Sequence, residues 1–155
     1  MPVLDPLGLK AALAPGARLL GLDVGIRTIG MAISDPRLVV ASPVGTIRRG
    51  KRFRDDAAAL QAAVEQHRAG GFVVGLPVNM DGSEGPRCQS VRQFAANLLG
   101  VIDLPLAFWD ERLSTVAVTR AMIEADMSRA RRAQAVDTAA AAYILQGCLD
   151  RIARG

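Results

Sequence analysis

Three acids stand where acids are out of place. Asp23 sits inside the apolar run RLLGLDVG (18–25), on the same side of an extended chain as Gly21 and Gly25. A buried carboxylate without a partner is expensive, so Asp23 calls for a metal ion, a basic group or a helix N-terminus. The plainer alternative is a strand-end Asp opening the tight turn at Gly25. Asp110 and Glu111 close a second such run, LPLAFWDE (104–111). Neighbouring strand residues point to opposite faces, so one acid faces a site and the other faces solvent. Alternation groups Glu111 with Trp109 and Asp110 with Phe108, and it does not choose between the acids. Asp137, on a helix, shares a face with Ala141, Ile144 and Cys148. Its bland alternative is a carboxylate held by the helix dipole. Three carboxylates drawn together repel one another and need a compensating cation. Hard oxygen ligands suit Mg²⁺ or Mn²⁺. Two such ions about 3.5–4 Å apart activate a water and stabilise the leaving oxygen in phosphodiester cleavage.

Around these acids are groups suited to phosphate. Gly25 and Gly30 flank Ile26-Arg27-Thr28, where glycines admit a close backbone approach and Arg27 offers a clamp. The same string occurs in actin-like kinases and ATPases, but that architecture needs two such domains and 155 residues supply one. The stretch GLPVNMDGSEGP (75–86) brings Asn79 and Ser83 to a strand end, against the alternative of an ordinary Asp81-Gly82 turn. Arg112, Arg129, Arg131 and Arg132 complete a set of candidate nucleic-acid contacts, with a merely solvated arm as the alternative for the last three.

Composition agrees with such a partner. The chain carries 19 Lys plus Arg against 15 Asp plus Glu, and only Lys10 and Lys51 are Lys. The guanidinium fork matches phosphate oxygens. Aromatics are only 4%, which argues against a base-stacking platform. Cys88 and Cys148 lie in no ligand spacing and read as small core residues. His67, ending a charged helical stretch, reads as a surface residue. No apolar run approaches the roughly 18 residues that span a bilayer. The charge order around Asp5 is wrong for a signal peptide. The expectation is a soluble protein in a reducing, cytoplasmic compartment.

The elements that must position these residues follow from periodicity. Residues 5–13 form a helical turn closed at Pro15-Gly16. Runs 18–25 and 28–35 form a hairpin of strands, and 38–47 a third strand that Pro43 sends toward an edge. A helix over 53–68 stops at Gly70-Gly71. A strand at 72–77, a helix over 86–99 and a strand at 104–111 follow. Ser114 caps a helix to about 125, and the last helix spans roughly 135–153. Three sequential strands followed by βα alternation predict an α/β fold: a mixed five-stranded sheet with helices on both faces.

The strings GLDVGIRTIGMAISD (21–35), GLPVNMDGSEGP (75–86), DERLST (110–115) and VDTAAAAYILQ (136–146) resemble, in this order, the YqgF/RuvX family of pre-16S rRNA nucleases, also described as Holliday-junction-resolvase-like. The resemblance covers roughly residues 18–150. It implies a ribonuclease H-like domain over 18–153, preceded by an N-terminal extension (1–17) of no assigned function. It also implies a catalytic and metal-binding triad of Asp23, Glu111 and Asp137, choosing Glu111 over Asp110. The implied role is processing of the 16S rRNA 5′ end, so the partner is structured RNA. Branched DNA is the second implication, and a non-catalytic ribosome-assembly factor remains a further alternative. The chain departs from the family in having Ser114 for the common Thr, and arginines where a Lys-rich stretch is usual. A monomer and a homodimer are both compatible, since only a junction resolvase needs two-fold symmetry.

Overall fold

The computed structural model describes residues 3–113 and 129–155, and the side chains of all of these except 129–138. The elements are β1 (Val3–Leu4), α1 (Pro6–Ala12), β2 (Arg18–Val24), β3 (Thr28–Ser34), β4 (Ala41–Arg48), α2 (Phe53–His67), β5 (Ala69–Leu76), α3 (Pro86–Leu99), β6 (Leu106–Asp110), a 3-10 turn at Glu111–Leu113, and α4 (Arg129–Arg154). The helix expected over 114–125 lies outside the described residues.

The sheet has six strands in the order β1-β6-β5-β2-β3-β4. The count is one above expectation because Val3 and Leu4 pair parallel to Leu106 and Ala107. No apolar alternation announces so short a strand. β2 pairs antiparallel with β3 and parallel with β5, and β5 pairs parallel with β6. β2, β5 and β6 therefore have their C-terminal ends at the same end of the sheet. β4 lies at the outer edge, as Pro43 requires, with a register shift opposite Met31 and Ala32.

Two apolar layers form, one on each face. Leu20, Leu22, Phe72 and Val74 pack with Leu60 and Val64 of α2 and with Val91, Phe94 and Leu98 of α3. Leu19, Val73, Ala107 and Trp109 pack with Leu9 of α1 and with Ala141, Ile144, Leu145 and Cys148 of α4. Ala141, Ile144 and Cys148 are all buried, which matches the helical face read from the sequence. Burial pushes the Cys148 thiol up to about 12. Both cysteines are buried and free.

Three boundaries differ from expectation by three residues or more. β4 begins at Ala41 rather than 38, because Asp35 Oδ1 accepts the Val39 and Val40 N–H groups at 2.7 and 2.9 Å and holds a turn there. Gly70-Gly71 does not stop α2. Arg68, in the left-handed region at φ 56°, ends the helix, and both glycines belong to β5. They are small because side chains crowd them: a Cβ on Gly70 would lie 2.7 Å from Ala17 Cβ, and one on Gly71 3.1 Å from Leu9 Cδ1. The last helix starts near Arg129 rather than 135, so the Arg-rich stretch belongs to it.

Candidate active site

Asp23 occupies the last turn of the pleat in β2 and is only 6% exposed. β2–β5 register pairs Leu22 with Val74, and β5–β6 register pairs Gly75 with Trp109 and Leu76 with Asp110. Gly75 thus lies between the strand end that carries Asp23 and the strand end that carries Glu111. Two strand spacings separate those backbones, about 9–10 Å. Alternation puts Asp23 on the face of Gly21, and Gly21 faces α4: a Cβ there would lie 3.2 Å from the Ala141 carbonyl oxygen. Gly75 opens to the same face, where its missing Cβ would run into Ile144. Glu111 Cγ lies 3.4 Å from that same position, so Glu111 leans over β5 toward β2. Asp23 and Glu111 therefore flank, from the strands on either side, a position on the α4 face that carries no side chain.

Asp110 goes elsewhere. The Arg112 guanidinium forks onto it, with Nη2 donating to Oδ2 at 2.7 Å and the Arg112 backbone N–H donating to Oδ1 at 2.9 Å. That fork holds the Asp110 carboxyl below the usual carboxylate range. Asp137 lies in α4, four residues before Ala141, about 6 Å along the helix axis from the Gly21 contact. The side chains of Asp137, Arg129, Arg131 and Arg132 lie outside the described residues. Among the described residues no three His, Cys, Asp or Glu side chains gather as a metal site. The carboxylate oxygens of Asp23 and Glu111 are hard donors of the type that suits a divalent cation.

The hairpin that follows Asp23 is clamped by arginines that the sequence reading missed. Gly25 N–H donates to the Thr28 carbonyl at 2.8 Å, closing the turn. Arg49 Nη1 donates to the Gly25 carbonyl at 2.8 Å, and Arg87 Nη2 donates to the Val24 carbonyl at 3.1 Å. Arg49 is held in turn by Asp56, which is 2% exposed: Arg49 Nε donates to Oδ2 at 3.1 Å and Gly50 N–H to Oδ1 at 2.9 Å. Asp55 and Asp56 lie in the first turn of α2, where acids suit the helix dipole, so Asp56 does not stand out in the sequence. The spacing of Arg49, seven residues before Asp56, was the available signal. Asp56→Ala should cost about 2–4 kcal/mol, because it strands a largely buried cation and a backbone donor together. Urea unfolding of the purified variant measures this, and a loss below about 1 kcal/mol would contradict the clamp.

The loop after β5 is knitted internally. Asn79 Nδ2 donates to Ser83 Oγ at 3.1 Å, and Ser83 Oγ donates to Asp81 Oδ1 at 2.6 Å. The Ser83 hydrogen bonds hold the Asp81 carboxyl below its ordinary value. Arg112 Nη1 reaches the Met80 carbonyl at 3.4 Å. Asn79, Ser83 and Arg112 are exposed on this rim, as is Arg27 at the hairpin tip, but the first three already bond within the protein. On the other side of the loop, Glu84 is gripped by Arg92, whose guanidinium lies 5.1 Å above the Phe108 ring.

Residues 17–151 match the family RuvX, described as Holliday junction resolvase. This chain belongs to the RuvX family. A relative from Paramagnetospirillum magneticum is 61% identical over 97% of this chain and 96% of its own length, and one from Phenylobacterium zucineum is 59% identical over 98% of both. Both are named "Putative pre-16S rRNA nuclease". Among solved structures, Thermus thermophilus RuvC in complex with a Holliday junction substrate superposes with a TM-score of 0.55 at 13% identity, over 88% of this chain and 96% of that one. The yeast mitochondrial Holliday junction resolvase Ydc2 gives 0.56 at 12% identity, over 94% and 83%. These two show that the RuvX chain has the ribonuclease H-like fold of the resolvases. As a member of the family it is a phosphodiester-cutting nuclease. No helix among its described residues is long and apolar enough to cross a membrane.

Proposed function

We propose that this chain is a divalent-metal-dependent endonuclease that trims the 5′ end of precursor 16S rRNA in the bacterial cytoplasm. The observation that supports the reading is that Asp23 and Glu111 flank the side-chain-free position of Gly75 on the α4 face. Asp23, Glu111 and Asp137 would hold Mg²⁺ or Mn²⁺. When bound, the metal lowers the pKa of a water and stabilises charge on the leaving oxygen. Asp23, buried at a strand end, supplies a fixed oxygen ligand. Glu111, the first residue of a 3-10 turn, supplies a longer arm that would orient the attacking water and accept its proton. Ile144 floors the gap and excludes solvent from below. Arg27, with Arg129, Arg131 and Arg132, would grip phosphates, while Asn79, Ser83 and Arg112 shape the rim along which the strand lies.

The names of close relatives support RNA as substrate, and the family description and the fold neighbours support a branched DNA junction. A cleavage panel with Mg²⁺ and with Mn²⁺ separates them: an RNA carrying the precursor 16S 5′ end, an unstructured single strand, and a four-way DNA junction. Cutting of the precursor RNA at one position, abolished by chelation, is the expected result. Cutting of the junction alone would move the substrate to DNA. Binding of RNA with no cutting of any substrate would leave a ribosome-assembly factor.

A further inference from the structure

The three most exposed large apolar side chains of the described residues stand on the three segments that ring the acids. Met80 is 86% exposed in the loop after β5, Ile26 is 76% exposed in the hairpin after β2, and Leu113 is 67% exposed in the turn after β6. Scattered apolar residues on a surface need no explanation, but three collected on one functional rim do. β5 lies between β2 and β6, so Met80 stands on the loop that leaves the middle of the three strand ends, and the Arg112 contact ties that loop to the turn after β6. Its backbone is braced: Gly82 N–H donates to the Asn79 carbonyl at 2.8 Å, Asn79 N–H to the Ser83 carbonyl at 2.9 Å, and Arg112 holds the Met80 carbonyl. A stiff loop that presents a solvated methionine keeps an unfavourable arrangement unless something apolar meets it.

The geometry points to a nucleobase step of the substrate strand as that partner, with Met80 as the wedge and Ile26 and Leu113 as its flanks. This rests on the nuclease reading above. Flat base faces are the apolar surface that a phosphodiester at the acids would bring to this rim. Trp109, level with Gly75 on the neighbouring strand, is 7% exposed and offers no stacking face. Apolar side chains of this kind enter between stacked bases and open the step. Arg27, beside Ile26 and exposed, would hold the adjoining phosphate while the step opens. Met80 is thus a specificity-determining residue: it favours substrates whose bases part readily next to the scissile bond.

The test uses the precursor-end RNA with 2-aminopurine on either side of the cut, bound to full-length Asp23→Asn protein. Unstacking at one position should raise fluorescence about twofold or more, and adding Met80→Ala should return it to the level of free RNA. In the protein with Asp23 intact, Met80→Ala should slow cleavage of the stacked RNA about tenfold, while an abasic site at that step should erase the difference. Met80→Leu should behave as wild type. Val101→Ala, at an exposed apolar residue beyond the C-terminus of α3, should change neither readout. Fluorescence that is the same with and without Met80, or equal slowing on stacked and abasic RNA, would overturn the wedge. Wild-type protein that opened the step but never cut would strike the nuclease reading and leave the wedge standing.

Discussion

Asp23→Asn is expected to lower cleavage by about 10³-fold or more while the protein stays folded. The change is nearly isosteric, so packing against the α4 face is kept. What disappears is a negative oxygen at a site only 6% exposed to water, where charge is felt strongly. A bound divalent cation contributes several kcal/mol of charge stabilisation in the transition state, and about 4 kcal/mol corresponds to 10³-fold. A second measurement does not depend on turnover. A ligand that binds only the native state raises its unfolding temperature, so Mg²⁺ should stabilise the wild-type protein and stabilise Asp23→Asn much less. A variant that cut RNA at the wild-type rate, with the same Mg²⁺-induced shift, would remove Asp23 from the site.

The second large effect comes from a residue with no side chain. Gly21→Ala should destabilise the protein by about 2–3 kcal/mol, although strand propensity alone favours Ala over Gly. The new Cβ would lie 2.7 Å from Leu145 Cβ and 3.2 Å from the Ala141 carbonyl oxygen. Neither neighbour is the free end of a flexible chain, so relief requires α4 to lift by about 1 Å to restore ordinary contact. Asp137 rides on that helix. If Asp137 holds the metal as proposed, a displacement of this size costs up to about 10²-fold in rate, so turnover should fall further than stability predicts. Urea unfolding together with single-turnover cleavage checks both parts. Unchanged stability would mean that the helix does not press on β2 there.

Much of this was readable beforehand because the signals are local. The alternation of Ile29, Met31 and Ile33, the acid inside RLLGLDVG and the glycine-flanked turn at 25–27 depend on neighbours within a few residues. The β2–β3 hairpin therefore appears where it was expected. Features that depend on distant partners were opaque. Nothing near Val3 and Leu4 shows that β6 has an open side to receive them. Asp56 looks like any helix-start acid until Arg49 is folded back onto it. Periodicity left Asp110 and Glu111 equivalent. They part only because Arg112 captures one and Gly75 leaves room for the other. Glycines misled in the same way: Gly70 and Gly71 look like a helix stop but serve close packing, a property of what lies across from them.

The two-residue strand β1 hems the sheet. Without it, β6 would present a bare row of donors and acceptors on the side away from β5, a template on which another chain could zip. At the opposite border, Pro43 and the irregular register of β4 do the same work with different chemistry. Handling of this enzyme in solution therefore rests on its first few residues as much as on its surface charge. Any tag joined at the amino end must leave Val3 and Leu4 free to lie down, or the molecule will gain a sticky margin.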